Sequence, residues 1–368
     1  MSERCVFFVI PNVNAGGAER VAMTLLQHLD RRDFSYTLVV LDDGNGTLAD
    51  QIPEDVRLIT LGKKRVRAAL FALIRLVWKE RPALIFSNLS HLNLMLSMFR
   101  FLFPSDVKFI ARESSIVSVN MRQFPIWKLW QKLYKGFYSR HDTIICQSEF
   151  MRSDLLKNFG IRSDKSIVIN NPVDISCIRK MASLTNGEKT QIKSEKWHFV
   201  AVGRLSAEKG VDNLLNALAL MRRDDINLDI IGDGPLANTL QIEANNLGLD
   251  DRVNFKGFVS NPYGHIIQAD ALLLTSHYEG FPNVVLEALA LNTPVIATPA
   301  IGGLAEIIDG INACVIADGF TAQNIALAIE DWINFQPKSL DEDVISKYDA
   351  NTIAQQYENE FRKVLACD

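Results

Sequence analysis

The chain has 368 residues, of which 48% are hydrophobic and 22% are charged. This length suits two globular domains, and the composition excludes a low-complexity or disordered protein. The five cysteines are scattered without CxxC spacing, which indicates a reduced, cytosolic protein with no disulfide framework or metal site. The apolar run at 6–10 is too short for a signal peptide, and no apolar segment approaches the ~20 residues that cross a bilayer. We therefore expect neither a secretory leader nor a membrane-spanning helix.

The net charge of −4 conceals an uneven distribution. Residues 1–172 carry 24 Lys and Arg against 16 Asp and Glu, whereas residues 173–368 carry 15 against 27. The basic excess is concentrated at 62–140, where 15 basic residues stand against 3 acidic ones. Such a split indicates that the first half meets an anionic partner.

The first half alternates apolar strands with helices. Strands are predicted at 6–10, 36–41, 83–87, 108–111 and 143–147, and Ser148 is placed to cap the helix after the last of them. This alternation favours a doubly wound parallel sheet. Gly16 and Gly17 lie between the first strand and its helix, where glycine lets the backbone approach a ligand and the helix start favours phosphate.

Two segments of the first half combine basic and aromatic residues. At 63–79 a helix is predicted with a core stripe on one face and Arg67, Phe71, Arg75 and Trp78 on another. At 122–140 a second helix aligns lysines beside aromatic rings, namely Lys128, Lys132 and Lys135 with Trp127, Trp130, Tyr134, Phe137 and Tyr138. This mixture suits the surface of a membrane with anionic lipids, but also an ordinary helix with a solvated basic face and an aromatic core. No nucleic-acid-binding motif accompanies these charges, so we expect no nucleic-acid partner.

The second half begins after a break at 170–174 and a polar stretch at 181–195. Strands are predicted at 198–202, 228–231, 253–255, 271–275, 294–298 and 314–316, and a final helix at 351–365. The first of these strands ends in Gly203-Arg204 and continues to Lys209-Gly210 before the next helix.

The most informative stretch runs from Glu279 to Glu287, directly after a buried strand. Pro282 is predicted as the first helical residue, because its fixed φ and missing N–H suit that position. The free N–H groups of the following turn attract phosphate. Carboxylates frame this turn on both sides, and they would need hydrogen-bond donors such as the hydroxyls of a sugar or a ribose.

These residues resemble the signature of the retaining glycosyltransferases of family 4, in which two glutamates are separated by seven residues and Gly-Phe-Pro follows the first. The stretch Gly16-Gly17-Ala18-Glu19-Arg20 resembles the N-terminal loop of the bacterial members that build surface glycans. The resemblance implies an α/β GT-B fold, with two Rossmann-like doubly wound domains that face each other across a cleft. It implies an acceptor-binding domain at 1–172, a crossover linker at 173–195, a nucleotide-sugar domain at 196–348, and a helix at 349–368 that packs back on the first domain.

The resemblance also implies roles for individual residues. Glu279 would hold hydroxyls of the transferred sugar, and Arg204 and Lys209 would bind the donor diphosphate as the catalytic cations. Glu287 would hold the ribose, and Gly16 and Gly17 would approach the diphosphate and the sugar. The remaining donor-binding residues would be Gly203, Phe258, Val259, Gly280, Phe281, Pro282, Asn283 and Val284. No Asp-x-Asp motif accompanies these loops, so we expect no metal and no cofactor besides a nucleotide-sugar donor, UDP-linked in this family.

One position departs from the family pattern. Many members have a histidine that contacts the sugar where this chain has Arg112-Glu113. Glu113 would either reach the sugar or the acceptor, or simply pair with Arg112. His91 also follows a strand, but a lone histidine there is more often structural.

The sequence thus predicts a retaining enzyme that moves a hexose or N-acetylhexosamine from a UDP-sugar to a lipid-linked glycan acceptor. Its setting would be the synthesis of a bacterial surface polysaccharide such as O-antigen, capsule or lipopolysaccharide, on the inner face of the cell membrane. Two alternatives remain open: a UDP-sugar epimerase of the same fold, and a protein that binds a sugar nucleotide without catalysis.

Overall fold

The computed structural model describes residues 4–14, 16–42, 44–63, 66–184, 196–335 and 343–366. The chain divides into two compact units. One contains Met1–Pro172 together with Tyr348–Asp368, and the other contains Val173–Lys347.

The first unit is built on a parallel sheet in the order β3-β2-β1-β4-β5-β6-β7. This order is the Rossmann arrangement with one further strand at the edge. The strands are β1 (Arg4–Ile10), β2 (Phe34–Val40), β3 (Arg57–Thr60), β4 (Leu84–Ser87), β5 (Lys108–Arg112), β6 (Thr143–Cys146) and β7 (Ser166–Val168). The sequence did not predict β3 and β7. The strand β3 lies at the edge of the sheet, its residues are mostly exposed, and it has no apolar run.

Helices cover both faces of this sheet. They are α1 (Gly17–His28), α2 (Val66–Glu80), α3 (Ser90–Met98), α4 (Val117–Met121), α5 (Trp127–Phe137) and α6 (Glu149–Phe159). Side chains alternate along β1, so Phe8 packs into one core and Phe7 and Val9 pack into the core on the opposite face. Burial on both faces is the reason that this strand is apolar throughout.

Two helix boundaries test the sequence predictions. Ser148 caps α6 as predicted, because its hydroxyl accepts a hydrogen bond from the Met151 N–H at 3.1 Å. The helix predicted at 122–140 is wrong in its bounds: α5 spans only Trp127–Phe137, and a 3₁₀ turn follows at Tyr138–Arg140. Pro125 accounts for the later start, since the residue before a proline disfavours helical geometry.

The second unit has a six-stranded parallel sheet in the order β10-β9-β8-β11-β13-β15, again a Rossmann order, and a separate pair β12-β14. The strands are β8 (Trp197–Val202), β9 (Ile226–Ile231), β10 (Val253–Gly257), β11 (Ala271–Leu274), β12 (Tyr278–Glu279), β13 (Val295–Ala297), β14 (Ile301–Gly302) and β15 (Val315–Ile316). The helices are α7 (Ile175–Ser183), α8 (Val211–Met221), α9 (Ala237–Asn246), α10 (Tyr263–Gln268), α11 (Asn283–Ala290), α12 (Leu304–Ile308), α13 (Ala322–Phe335) and α14 (Asp343–Ser346).

The segment that the sequence assigned to a linker at 173–195 contains a helix at its start. Asp174 caps α7 through a hydrogen bond from the Cys177 N–H at 2.8 Å. The Asn261 side chain also donates to the Met181 carbonyl at 3.0 Å, which fixes α7 within the second unit. Residues 185–195 of the same predicted segment lie outside the described residues.

The last helix, α15 (Ala350–Ala366), lies in the first unit. Its buried stripe includes Ile353, Tyr357 and Phe361, which pack with Phe8 and Phe34 in the core on one face of the sheet. The spacing of four residues along this stripe is that of one helical face. The chain therefore returns to the first unit to complete its core.

Candidate functional site

The loops that follow β8, β9 and β10 meet at the carboxyl edge of the second sheet. The Gly203 N–H donates to the Ile231 carbonyl at 2.9 Å, and the Gly232 N–H donates to the Gly257 carbonyl at 2.8 Å. A Cβ on Gly232 would lie only 1.9 Å from the Gly203 carbonyl oxygen. These strand ends therefore touch backbone to backbone, at the edge where doubly wound sheets bind their ligands.

The loop 203–210 is fastened to the segment after β11. Gly210 has a left-handed φ of +60°, and a Cβ there would lie 2.4 Å from the Thr275 carbonyl oxygen. The Thr275 hydroxyl donates to the Lys209 carbonyl at 2.9 Å, and the His277 N–H donates to the Glu208 carbonyl at 2.8 Å. These contacts place the Lys209 side chain beside the segment that leads to Glu279.

Lys209 and Glu279, which are 70 residues apart in sequence, form an ion pair. The Lys209 Nζ lies 2.5 Å from Glu279 Oε1, and the Ser276 hydroxyl donates to the same oxygen at 2.6 Å. The two side chains are 25% and 12% exposed, so both are accessible from solvent. Arg204 is exposed in the same loop.

A short pair of strands holds the backbone at Glu279. In β12 and β14, Glu279 is paired with Gly302, and the Gly303 N–H donates to the Gly280 carbonyl at 3.0 Å. The sequence did not predict this two-residue ladder, because it is too short to show a pattern. It fixes the backbone at Glu279, whose carboxylate faces Lys209.

Helix α11 starts beside this carboxylate. Pro282 is its N-cap, with φ −72° and ψ 106°, and the helix begins at Asn283. The prediction of Pro282 as the first helical residue is therefore wrong by one position, since the proline φ suits both places. Phe281 and Pro282 are buried, whereas Asn283, Val284 and Glu287 are partly exposed.

The other predicted donor residues lie in two places. Phe258 and Val259 follow β10 at the same sheet edge, and the Phe258 side chain is 56% exposed. Gly16 and Gly17 lie in the first unit, where Gly16 is the N-cap of α1. A Cβ on Gly16 would lie 2.2 Å from Glu19 Oε2, so the first turn of α1 already faces a carboxylate of the chain itself. Sequence reasoning missed this contact, although Glu three residues after a helix cap is a known capping arrangement.

Two family models together cover most of the chain. The model of glycosyl transferases group 1 matches residues 184–347, and the model of glycosyltransferase family 4 matches residues 15–176. The lipopolysaccharide 1,6-galactosyltransferase of Escherichia coli K12 is 30% identical over 65% of this chain and 67% of its own.

The chain belongs to the family 4 glycosyltransferases.

Two other proteins are similar to this glycosyltransferase over a larger part of its chain. A Campylobacter jejuni protein, named N-acetylgalactosamine-N,N'-diacetylbacillosaminyl-diphospho-undecaprenol 4-alpha-N-acetylgalactosaminyltransferase, is 28% identical over 81% of each chain. The crystal structure of Anabaena HepE in complex with UDP and glucose has a TM-score of 0.76 at 21% identity, covering 98% of this chain and 100% of that one. With two Rossmann-like units and such neighbours, the predicted GT-B fold is confirmed.

Arg112 and Glu113, which stand where many members of the family have a histidine, are both buried in the first unit. Both side chains are 0% exposed. Glu113 accepts hydrogen bonds from the Ser90 hydroxyl at 2.5 Å and from the Tyr138 hydroxyl, while Arg112 Nη2 donates to Asn171 Oδ1 at 2.6 Å. Burial raises the pKa of Glu113 to about 7, against hydrogen bonds from Ser90 and Asn93 that lower it. Each residue thus has its own partners in the first unit, and the ion pair between them, one of the two alternatives, is not among the salt bridges of the described residues.

The two basic segments expose part of their aromatic residues. In α2, Arg67 and Arg75 are exposed, together with Phe71 at 75% and Trp78 at 50%. In α5 the three lysines are exposed, but Tyr134 is buried, as is Tyr138 in the turn that follows the helix. The exposed apolar side chains here are instead Phe124, Ile126 and Leu129, each more than half exposed. Within the described ranges, no helix combines the length and the apolar character needed to cross a membrane.

Proposed function

We propose that this glycosyltransferase is a retaining enzyme that moves a hexose or N-acetylhexosamine from a UDP-sugar to a lipid-linked glycan acceptor. The second unit would bind the donor and the first unit the acceptor. The proposed setting is the assembly of a bacterial surface polysaccharide, on the cytoplasmic face of the cell membrane.

The observation that carries the proposal is the contact of Lys209 with Glu279 at the carboxyl edge of the second sheet. A cation beside a carboxylate suits a substrate that carries a diphosphate next to a hydroxyl-rich ring, because the cation binds phosphate and the carboxylate accepts from hydroxyls. Lys209 and Arg204 would bind the diphosphate with the first turn of α11, and Glu279 would accept hydrogen bonds from the sugar. Gly203 and Gly280 would allow close backbone approach, and Glu287 would hold the ribose.

The chemistry assigned to this arrangement is transfer with retention. The acceptor oxygen would attack the anomeric carbon on the face from which the diphosphate leaves. As the bond between the anomeric carbon and the diphosphate oxygen breaks, a phosphate oxygen of the donor would take the proton of the acceptor hydroxyl. Arg204 and Lys209 would stabilise the charge that develops on the departing UDP more strongly in the transition state than in the ground state.

The names of the relatives support the choice of donor and acceptor. The Anabaena neighbour was crystallised with UDP and glucose, and the Campylobacter relative is named for a diphospho-undecaprenol acceptor. The Escherichia coli relative is named for lipopolysaccharide. A lipid-linked acceptor of a surface glycan suits the Campylobacter and Escherichia coli names, and it requires an enzyme that works at a membrane surface.

The proposed membrane contact is the outer surface of α5 and the turn before it. Exposed Phe124, Ile126 and Leu129 would enter the interface, and Lys128 and Lys132 would meet anionic headgroups. The aromatic face of α2, with Phe71 and Trp78, would form a second contact.

The decisive experiment is a transfer assay with a panel of UDP- and GDP-sugars, with and without a polyprenyl-diphosphate glycan acceptor. Release of UDP that depends on the acceptor, with a glycosylated lipid in the mass spectrum, would support the proposal. A changed sugar nucleotide without acceptor would favour the epimerase, and binding of a donor without any product would favour the non-catalytic alternative. A thermal-shift screen selects the donor first, because a ligand at 100 times its Kd adds about 2.7 kcal/mol of stability.

Membrane contact has its own test. We expect the protein to float with vesicles that contain phosphatidylglycerol, and to float less with purely zwitterionic vesicles or at high salt. The Lys128→Ala/Lys132→Ala variant should bind less than the Lys157→Ala/Lys363→Ala control, whose lysines are also exposed in the first unit. Equal binding of both variants would exclude α5 as the contact.

A further inference from the structure

Glu113 joins three separate parts of the first unit through its carboxylate and its backbone carbonyl. Glu113 directly follows β5, and its carboxylate accepts from Ser90 at the start of α3 and from Tyr138 in the 3₁₀ turn after α5. Its carbonyl accepts from the Gln147 side chain at 2.9 Å, just after β6. Glu113 is 0% exposed, and these hydrogen bonds are all made to other residues of the protein.

The inner face of α5 is attached to the same place. The Tyr134 hydroxyl donates to the Ser90 carbonyl at 3.1 Å, and the Tyr134 and Tyr138 rings lie 4.5 Å apart between centroids. Tyr134 also packs against Phe159 of α6, with 5.3 Å between ring centroids. The exposed lysines of α5 are on the opposite side of the helix, so Ser90 and Glu113 fix the direction in which this basic face points.

A carboxylate is an uncommon choice for a purely structural position of this kind. Burial without a paired cation is costly, and an apolar side chain would fill the space with less penalty. What the carboxylate adds is the ability to accept from two hydroxyls at once, so that Ser90 and Tyr138 must both turn towards it. This double acceptance restricts α5 to one orientation.

We propose that Glu113 is a positioning residue that holds the basic helix α5 in register with the carboxyl edge of the first sheet, so that acceptors are presented from the membrane to this edge in one orientation. The second half of this inference rests on the proposed function. The first half does not, because it concerns only contacts within the first unit.

The test compares Glu113→Gln and Tyr138→Phe with Glu360→Gln in the full chain. Glu360 is a buried control carboxylate in the same unit, far from α5 in sequence: it is 6% exposed, accepts from the Thr143 hydroxyl at 2.8 Å and, unlike Glu113, also pairs with Lys363 at 3.5 Å. Hydrogen exchange of the backbone amides at 127–137 should become about tenfold faster in the first two variants, as expected for one buried hydrogen bond. It should stay at the wild-type rate in Glu360→Gln.

The same variants are assayed with a polyprenyl acceptor in anionic vesicles and with a short-chain, water-soluble analogue. We expect the ratio of the two activities to fall about tenfold in Glu113→Gln, on the same hydrogen-bond argument, with donor binding unchanged. Unaltered exchange at 127–137 overturns the positioning role, and so does faster exchange that is equal throughout the first unit. If the wild type transfers to neither acceptor, the proposed function fails, while the exchange data still decide the role of Glu113.

Discussion

Replacement of Glu279 by Gln separates the role of this carboxylate in catalysis from any role in stability. The variant keeps the shape of the side chain and an oxygen for the Ser276 hydroxyl, but it removes the charge that lies 2.5 Å from the Lys209 Nζ. Both partners are partly exposed, so we expect a stability loss of about 1 kcal/mol, below the 3–5 kcal/mol of a fully buried pair.

The expected kinetic effect is much larger than the effect on stability. If Glu279 holds sugar hydroxyls in the transition state, kcat/KM for transfer should fall about 10²–10³-fold, as it does when one preorganised hydrogen-bonding group is removed from an active site. Affinity for UDP alone should stay the same or increase, because the Lys209 ammonium is no longer neutralised by a carboxylate. Titration calorimetry with UDP, initial rates with donor and acceptor, and thermal unfolding measure the three quantities.

Glu208→Gln is the matched control in the same loop. Glu208 accepts from the Ser206 hydroxyl at 2.6 Å and makes no contact with Lys209 through its carboxylate among the hydrogen bonds of the described residues. We expect near wild-type transfer from this variant. The reasoning is refuted if Glu279→Gln transfers sugar at the wild-type rate, or if its affinity for UDP falls by the same factor as its activity.

Three other changes have defined outcomes. Burial raises the pKa of Glu113 to about 7 from 4.5, so between these pH values the folded state retains a proton that the unfolded state has released. The free energy of unfolding of the wild type should therefore fall by up to about 3 kcal/mol as pH rises from 4.5 to 7. Urea unfolding at pH 5 and pH 8 measures this fall, which Glu113→Gln should lack. Gly210→Ala should lower the free energy of unfolding by about 1–3 kcal/mol, because the φ of +60° is strained for alanine and its Cβ would meet the Thr275 carbonyl. Gly248→Ala, with a φ of +67° and open space, should lose measurably less in the same assay. Ser148→Ala should lower the free energy of unfolding by about 1 kcal/mol through loss of the α6 cap.

Much of the architecture could be predicted because the local signals are strong. Buried parallel strands are short apolar runs, as at 271–274, and the Gly and Pro residues after them mark the turns into helices. Strands without this signal were missed: Arg57–Thr60 is largely exposed at the edge, and Tyr278–Glu279 pairs over only two residues. The residues proposed to bind the donor, at 203–210 and 279–287, could be predicted because their motifs are contiguous in sequence.

Other features depend on contacts between distant residues. Tyr134 and Trp130 look alike in the sequence of a basic-aromatic helix, yet Tyr134 is buried and Trp130 is partly exposed, because the direction of each ring is set by what packs on α5. The two hydroxyls that donate to the Glu113 carboxylate lie 23 residues before it and 25 residues after it in the sequence. No local pattern encodes such a meeting.

The sequence by itself determined the alternation of strands and helices and the family, and it predicted the residues proposed to bind a nucleotide sugar, since these follow from short-range periodicity and contiguous motifs. Only the tertiary structure decided that Lys209 meets Glu279, that Glu19 faces the first turn of α1, and that Glu113 is enclosed by hydroxyls. The physical reason is that charge pairing and burial depend on distance in space, which the fold sets and the order of residues along the chain does not.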